Sequence, residues 1–422
     1  MKEKTYHCLQ PIYVQQFQCD GSLCKSECCR KGWAIEIDED TYRRYCNIGL
    51  TVREENVANH IRHADFRHQK SLLLQPTSEG ACPFLREDWL CDIHRTYGFQ
   101  FLPIICLQYP RYNLLIGDMG ERSLRLSCPV AARLILLQRT PMEFEWIPFP
   151  DTGRETWIDM SEKETPLKTF YPRHFVRIQS ACIHVLQNRN LSLDQRWIAL
   201  GFFMDQADRL MEDGTMEELS HLASFYASDR IMEHVAEMAA NIPFHPSDYI
   251  KQIFGLLESL YGEQGASHDW ASDARHLSCI ADAFGLSANG QSQTAAVLAD
   301  RYMEIRKTFG KPLLQKYGHI FENYIVHECF SNLYPCKLSG TFVHNYKTFL
   351  LFCKMSEFAA TVAAYMRQKD SIEEALMDTL KMFSMRMAHT SGYLGRVEQE
   401  AKQIRSDLIS FMGSMLDGSK GL

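Results

Sequence analysis

Cys19-Asp-Gly-Ser-Leu-Cys24-Lys-Ser-Glu-Cys28-Cys29 places four thiols in eleven residues and sets the character of the N-terminal third of the chain. The spacing is C-x4-C-x3-C-C in a polar, glycine-bearing stretch that reads as a loop, followed by the short strand-like run Trp33-Ala-Ile-Glu-Ile37. Closely spaced thiols in a short loop converge on one soft ion or cluster at little cost in chain-closure entropy. Outward from this stretch lie Ala81-Cys82-Pro-Phe-Leu85, Cys91-Asp-Ile-His94, Cys106-Leu-Gln-Tyr-Pro-Arg111 and Cys128-Pro129. Pro83 and Pro129 disfavour helical backbone at the cysteine before them, which places Cys82 and Cys128 at turns where a thiol can point inward.

Of the 15 cysteines, ten fall at or before position 128 and five in the remainder. The start, MKEKTYHCLQPIY, has no apolar run of signal-peptide type, and no later stretch of uninterrupted apolar residues reaches membrane-spanning length. The expected location is therefore cytoplasmic, where free thiols, metal ligands and redox groups prevail over structural disulfides. Metal ligation is the reading for Cys19, Cys24, Cys28, Cys29, Cys82, Cys91, Cys106 and Cys128. Eight thiols exceed one closed tetrahedral zinc site, which favours an iron–sulfur cluster and keeps zinc as the alternative. Cluster ligation takes about four thiolates, so eight fit two centres, or one centre with spare thiols nearby. Cys8, Cys46, Cys182, Cys279, Cys329, Cys336 and Cys353 read as small hydrophobes filling structure.

The length of 422 residues suits two or three domains, and 45 % apolar with 23 % charged residues is an ordinary globular balance. A formal net charge of −7 argues against broad binding to nucleic acid, which needs a basic face. Residues 141–172, rich in proline, aromatics and acids, read as a linker or docking segment between a cysteine-rich region (1–140) and a helical domain (173–422). Beyond it, Ser192-Leu-Asp-Gln195 forms a capping-box signature before an apolar-periodic run ending near Gly214. Thr215-Met-Glu-Glu218 marks a second helix start, and Pro246-Ser247 precedes a helix through Leu260. Ser371 caps a run whose stripe is Ile372, Leu376, Leu380, Phe383 and Met387. The expected fold is mainly α, with short strands and loops confined to the cysteine-rich region. No glycine-rich dinucleotide loop, Walker loop, G-x-S-x-G elbow or H-E-x-x-H is present. His94 reads as a ligand or a donor to the site, His389 as a polar helix terminus or a site residue, and Tyr109-Pro-Arg111 as a brace for the metal loop or a plain turn.

The order Cys19…Cys24…Cys28-Cys29-x-x-Gly-Trp33-x-Ile, Ala-Cys82-Pro-Phe-Leu, Cys91-x-Ile-His, Cys106-x-x-Tyr-Pro-Arg and Cys128-Pro resembles the N-terminal region of the bacterial flagellin lysine N-methylase family. Part of it is also similar to small zinc- or iron-chelating proteins with a C-x-x-x-C-x-x-C-C motif, whose spacing is matched only loosely. Phe321-Glu-Asn-Tyr-Ile-Val326, Asn332-Leu-Tyr-Pro335 and the segment from Phe383 to His389 extend the likeness into the second half. The resemblance implies a protein-lysine N-methyltransferase acting on flagellin, with S-adenosylmethionine as donor and a 4Fe–4S cluster on the eight matching cysteines. It names no catalytic or donor-binding residue. The rival from another class is a non-catalytic iron–sulfur or zinc module serving as electron carrier or protein adaptor. Neither a nucleic acid nor a membrane is expected as a partner.

Overall fold

A computed structural model describes residues 4–30, 33–66, 69–160, 172–212, 216–228, 231–261, 270–286, 293–336, 340–367, 371–390 and 392–418. The chain forms two compact units, one of residues 1–134 with 144–159 and one of residues 135–143 with 160–422. The architecture is mainly α: short strands occur in the first unit, and the second is built from helices.

The first unit is organised by a five-stranded sheet in the order Trp157–Asp159, Arg111–Ile116, Met119–Leu124, Thr5–Pro11, Phe144–Pro150. Thr5–Pro11 runs parallel to Met119–Leu124 and antiparallel to Phe144–Pro150, with Cys8 opposite Gly120 and Ile147. Thus two strands lie inside the 141–172 segment. Pro148 and Pro150 are accommodated because their strand is at the sheet edge, where a missing N–H breaks no second ladder. Cys8 is fully buried and packs with Tyr6 and Leu115, as its reading as filler requires.

A second cluster in this unit packs Ile37, Tyr45, Leu50, Val57, Leu72 and Phe84 around a three-stranded sheet, with Cys82 and Cys91 against its side. The helix Glu39–Ile48 begins at Asp38, whose carboxylate accepts from Thr41 N at 2.9 Å and from Ile104 N at 3.0 Å. That shared cap ties the short helix carrying Cys106, Ile104–Gln108, to the start of Glu39–Ile48.

In the second unit, Ser192 and Gln195 make the reciprocal capping bonds at 3.0 and 3.3 Å, and the helix Leu193–Glu212 follows. Residues 213–215, which hold the expected end of this run and start of the next helix, lie outside the described residues; the following helix is Met216–Tyr226. Pro246–Tyr261 and Ile372–His389 are helices, and Ser371 Oγ accepts from Glu374 N at 3.4 Å. Leu376, Leu380 and Phe383 are fully buried, while Ile372 and Met387 are half-buried at the ends of the stripe.

The helix Phe342–Met366 is apolar on nearly every face and packs against Leu193–Glu212, Trp270–Ala283, Ile372–His389 and Tyr393–Gln403. By length and composition it would cross a membrane, but 78 % of its most apolar window is buried inside the protein, the mark of a core helix. Its N-terminus is capped by Asp208, whose carboxylate accepts from Phe342 N at 2.6 Å and Val343 N at 2.8 Å. At its crossing with Leu193–Glu212, Trp197 lies between the Tyr346 and Phe349 rings, and the Tyr346 hydroxyl donates to Trp197 O at 3.0 Å. Gly201 permits this close approach. A Cβ there would collide with Met412 Cε and stand 2.8 Å from Tyr346 Cζ, a ring held by its hydrogen bond. Gly201→Ala is expected to destabilise this unit by about 1–3 kcal/mol through overpacking, read as a shift in the urea midpoint at constant slope.

Candidate functional site

The cysteine-dense segment is not a loop but two single helical turns, Gly21–Cys24 and Glu27–Arg30, joined at Lys25 and Ser26. Both joining residues are left-handed, at φ 51° and 47°, a conformation costly for side-chain-bearing residues and held here by bonds around it. Ser26 N donates to Gly21 O at 2.8 Å, and Ser26 Oγ donates to Trp89 O at 2.5 Å. Gly21 is required by the same closeness, since a Cβ would lie 2.7 Å from Ser26 Oγ and 2.9 Å from Trp89 O. The second turn is tied in by Cys82 N donating to Cys29 O at 2.7 Å.

This bend collects the eight thiols in one region of the first unit. Cys28 Sγ and Cys29 Sγ are 3.9 Å apart, and charge on Cys28 is felt at Cys19, Cys82, Cys91, Cys106 and Cys128. Cys24 acts likewise on Cys19 and Cys128. Cys82 sits in a turn and Cys128 immediately precedes a helix, as the prolines suggest; Cys91 also precedes a helix, whereas Cys106 lies within the short helix Ile104–Gln108. Burial raises the thiols of Cys82 to about 12 and Cys128 to about 11. The contact with Cys29 and then burial push Cys28 up as well. Among the described residues, no three His, Cys, Asp or Glu side chains are drawn together tightly enough to form a metal site as they stand. Cys19 and Cys106 are exposed, Cys128 is buried and the other five are half-buried. The donor chemistry fits a soft thiophilic centre, since a bound cation converts thiols to thiolates.

The Tyr109 hydroxyl is 3.0 Å from Ser127 Oγ, and its ring meets Trp33 edge-on at 5.2 Å. Arg111, whose guanidinium lies 5.2 Å from the centre of the Phe17 ring, is felt electrostatically by Cys19. Tyr109-Pro-Arg111 therefore braces the cysteine region through ring packing and one positive charge. His94 is exposed on the helix Asp92–Tyr97 and His389 is exposed at the end of its own helix. Cys182, Cys329, Cys336 and Cys353 are buried fillers in the second unit; Cys279 is only partly buried and Cys46 is exposed.

A second feature escaped the sequence reading because its residues are scattered from 139 to 417. In the second unit, a cleft of about 680 Å³ is lined by charged side chains. On one wall the Glu322 carboxylate, nearly inaccessible to solvent, is gripped by Arg189 at 2.9 Å and by buried Arg196 at 2.8 Å. On the other, Arg306 spans Asp417 at 2.7 Å and Asp194 at 3.2 Å. Asp194 also receives Lys354 Nζ at 2.9 Å, and Glu357 receives it at 3.0 Å. Burial opposes charge on Lys354, but the two carboxylates overcome it and hold the ammonium protonated. Arg306 is presented by a π-helical turn, Arg306–Gly310, inserted before the long helix Lys311–Ser331. Such turns re-aim side chains and are common at functional sites. Asn323, one residue after Glu322, donates to Leu136 O at 3.2 Å and Gln138 O at 2.6 Å, fixing the segment that carries Arg139.

Residues 179–415, the helical core of the second unit, match the family model for the FliB lysine N-methylase C-terminal domain. The chain belongs to the FliB lysine N-methylase family. It is 28 % identical over 226 residues to a protein named lysine-N-methylase from Salmonella typhimurium (strain LT2), covering 53 % of each chain. A lysine-N-methylase of Salmonella choleraesuis matches to the same extent. The flagellar biosynthetic protein FliU of Salmonella muenchen is 34 % identical over 137 residues, or 32 % of this chain and 79 % of that one. The chain thus spans about half the length of the two lysine-N-methylases. No solved structure matches.

Proposed function

We propose that this protein transfers methyl groups from S-adenosylmethionine to lysine side chains of flagellin in the cytoplasm. We further propose that Cys19, Cys24, Cys28, Cys29, Cys82, Cys91, Cys106 and Cys128 supply the ligands and close surroundings of an iron–sulfur cluster of 4Fe–4S type. The observation that carries the reading is the family match over residues 179–415. The nearness of Cys19, Cys29, Cys82, Cys91, Cys106 and Cys128 to Cys28 supports the metal part.

In the reaction, the lone pair of the lysine nitrogen attacks the methyl carbon, the carbon–sulfur bond breaks, and its electron pair returns to sulfur, leaving a neutral thioether. A free lysine has a pKa of about 10.4, so its ammonium must first lose a proton to an acceptor or be desolvated. The amine and the sulfonium must then be held in line, so that the attack is effectively intramolecular. A bound cluster would supply a thiolate-ligated centre able to orient ligands or carry electrons. The chain's own part is to position thiols: the Lys25–Ser26 bend, Asp38 and Tyr109 fix the backbone that presents them.

Labelled S-adenosylmethionine incubated with the protein and purified flagellin is expected to place label on lysine. Flagellin lacking lysine, or omission of the donor, is expected to give none. Label that persists without lysine, or no binding of donor at all, overturns the reading and favours a non-catalytic iron–sulfur or zinc module.

A further inference from the structure

The cleft in the second unit carries more positive than negative charge, and its carboxylates are already taken. Six basic side chains face three carboxylates among the residues that line it. Glu322 is held by Arg189 and Arg196, while Asp194 and Asp417 are held by Arg306. That leaves Arg139, Lys311 and Lys316, all exposed. Arg139 has only a long contact to Glu373 at 3.8 Å. Among the described residues, neither Lys311 nor Lys316 has a carboxylate within ion-pair distance; Lys316 lies over the Tyr317 ring. His319, on the same helix, senses the imbalance: burial and then Arg139 and Arg189 lower its pKa, outweighing Glu373 and Glu322.

We propose that this cleft binds a small polyanion, a molecule with two or more phosphate or carboxylate groups, seated on Arg139, Lys311 and Lys316 against the fixed wall of Arg189, Arg196 and Glu322. The volume suits a small molecule, since such pockets span roughly 300–1,000 Å³. The wall is already bonded, so it meets an anion without losing side-chain freedom. A lysine ammonium and a sulfonium are both cationic, and the excess of basic side chains lining the cleft selects against them. The inference therefore stands apart from the methyl-transfer reading and does not depend on it.

Isothermal titration of the full chain with sodium pyrophosphate, and separately with citrate, at low ionic strength tests this. Saturable one-site binding is expected, weakened roughly tenfold or more in the Lys311→Gln, Lys316→Gln double variant, which removes two charge-assisted contacts. Arg43→Gln, in the first unit and outside the cleft, is expected to leave it unchanged. Binding of both probes identifies a general polyanion site, and binding of pyrophosphate alone identifies phosphate as the group recognised. A rise in the His319 pKa on saturation, followed by NMR, places either anion in the cleft. No saturable binding of either probe, or binding that the double variant leaves intact, overturns the proposal.

Discussion

Replacing Glu322 by alanine destabilises the second unit by about 3–5 kcal/mol, because it strips two guanidiniums of one shared carboxylate. Arg196 is the decisive partner: its side chain is 8 % exposed and that of Glu322 is 3 %, so water cannot take over the lost charge. The remaining Arg196 bonds run to backbone oxygens, Leu191 O at 3.0 Å and Leu186 O at 2.9 Å, and neither offsets a full charge. Glu322→Gln keeps an acceptor and is expected to fall between wild type and Glu322→Ala. Urea unfolding followed by far-UV circular dichroism, dominated by the helical unit, measures the effect. A change under about 1 kcal/mol for Glu322→Ala would place the bridge among the weak surface pairs and refute the argument.

The second large effect concerns metal. On the proposed reading, Cys28→Ser with Cys29→Ser removes the bound iron and acid-labile sulfide from protein purified without oxygen, and Cys279→Ser leaves them in place. The sulfurs of Cys28 and Cys29 are 3.9 Å apart, so the double variant removes two adjoining candidate ligands at once. Full metal retention in the double variant would sink the ligand assignment. Zinc without sulfide in the unmodified protein would turn the centre into a structural one, and no metal in it would remove the centre altogether.

Local grammar was legible in the sequence and long-range pairing was not. The Ser192–Gln195 box and the Ser371 cap are encoded within four residues, and both form as their chemistry requires. The stripe through Leu376, Leu380 and Phe383 announced a buried helix face because its period is local too. By contrast, the cysteine-dense segment read as a loop, since single helical turns are too short to show a period. Their bend depends on Trp89, more than 60 positions away. The Phe144–Pro150 strand was hidden by its prolines, which an edge position tolerates. The cleft was invisible for a simpler reason: Arg139, Arg189, Glu322 and Asp417 meet only after the helices pack. Glu322 lay within a stretch noted for its family likeness, yet nothing local marked it as the partner of two arginines.

The sheet of the first unit also sets a timetable for biosynthesis. Thr5–Pro11 is made first, but its neighbours are Met119–Leu124 and Phe144–Pro150, and the last strand of the sheet ends at Asp159. The first strand of the sheet must wait for partners more than 100 residues downstream, a non-local and therefore slow kind of pairing. All ten cysteines of this unit emerge before its edge strand does. At synthesis rates of about 5–20 residues per second, Cys128 precedes Asp159 by roughly 2–6 s. During that interval the nascent thiols are open to the surrounding cell, to metal donors and oxidants alike, and the edge strands then complete the sheet.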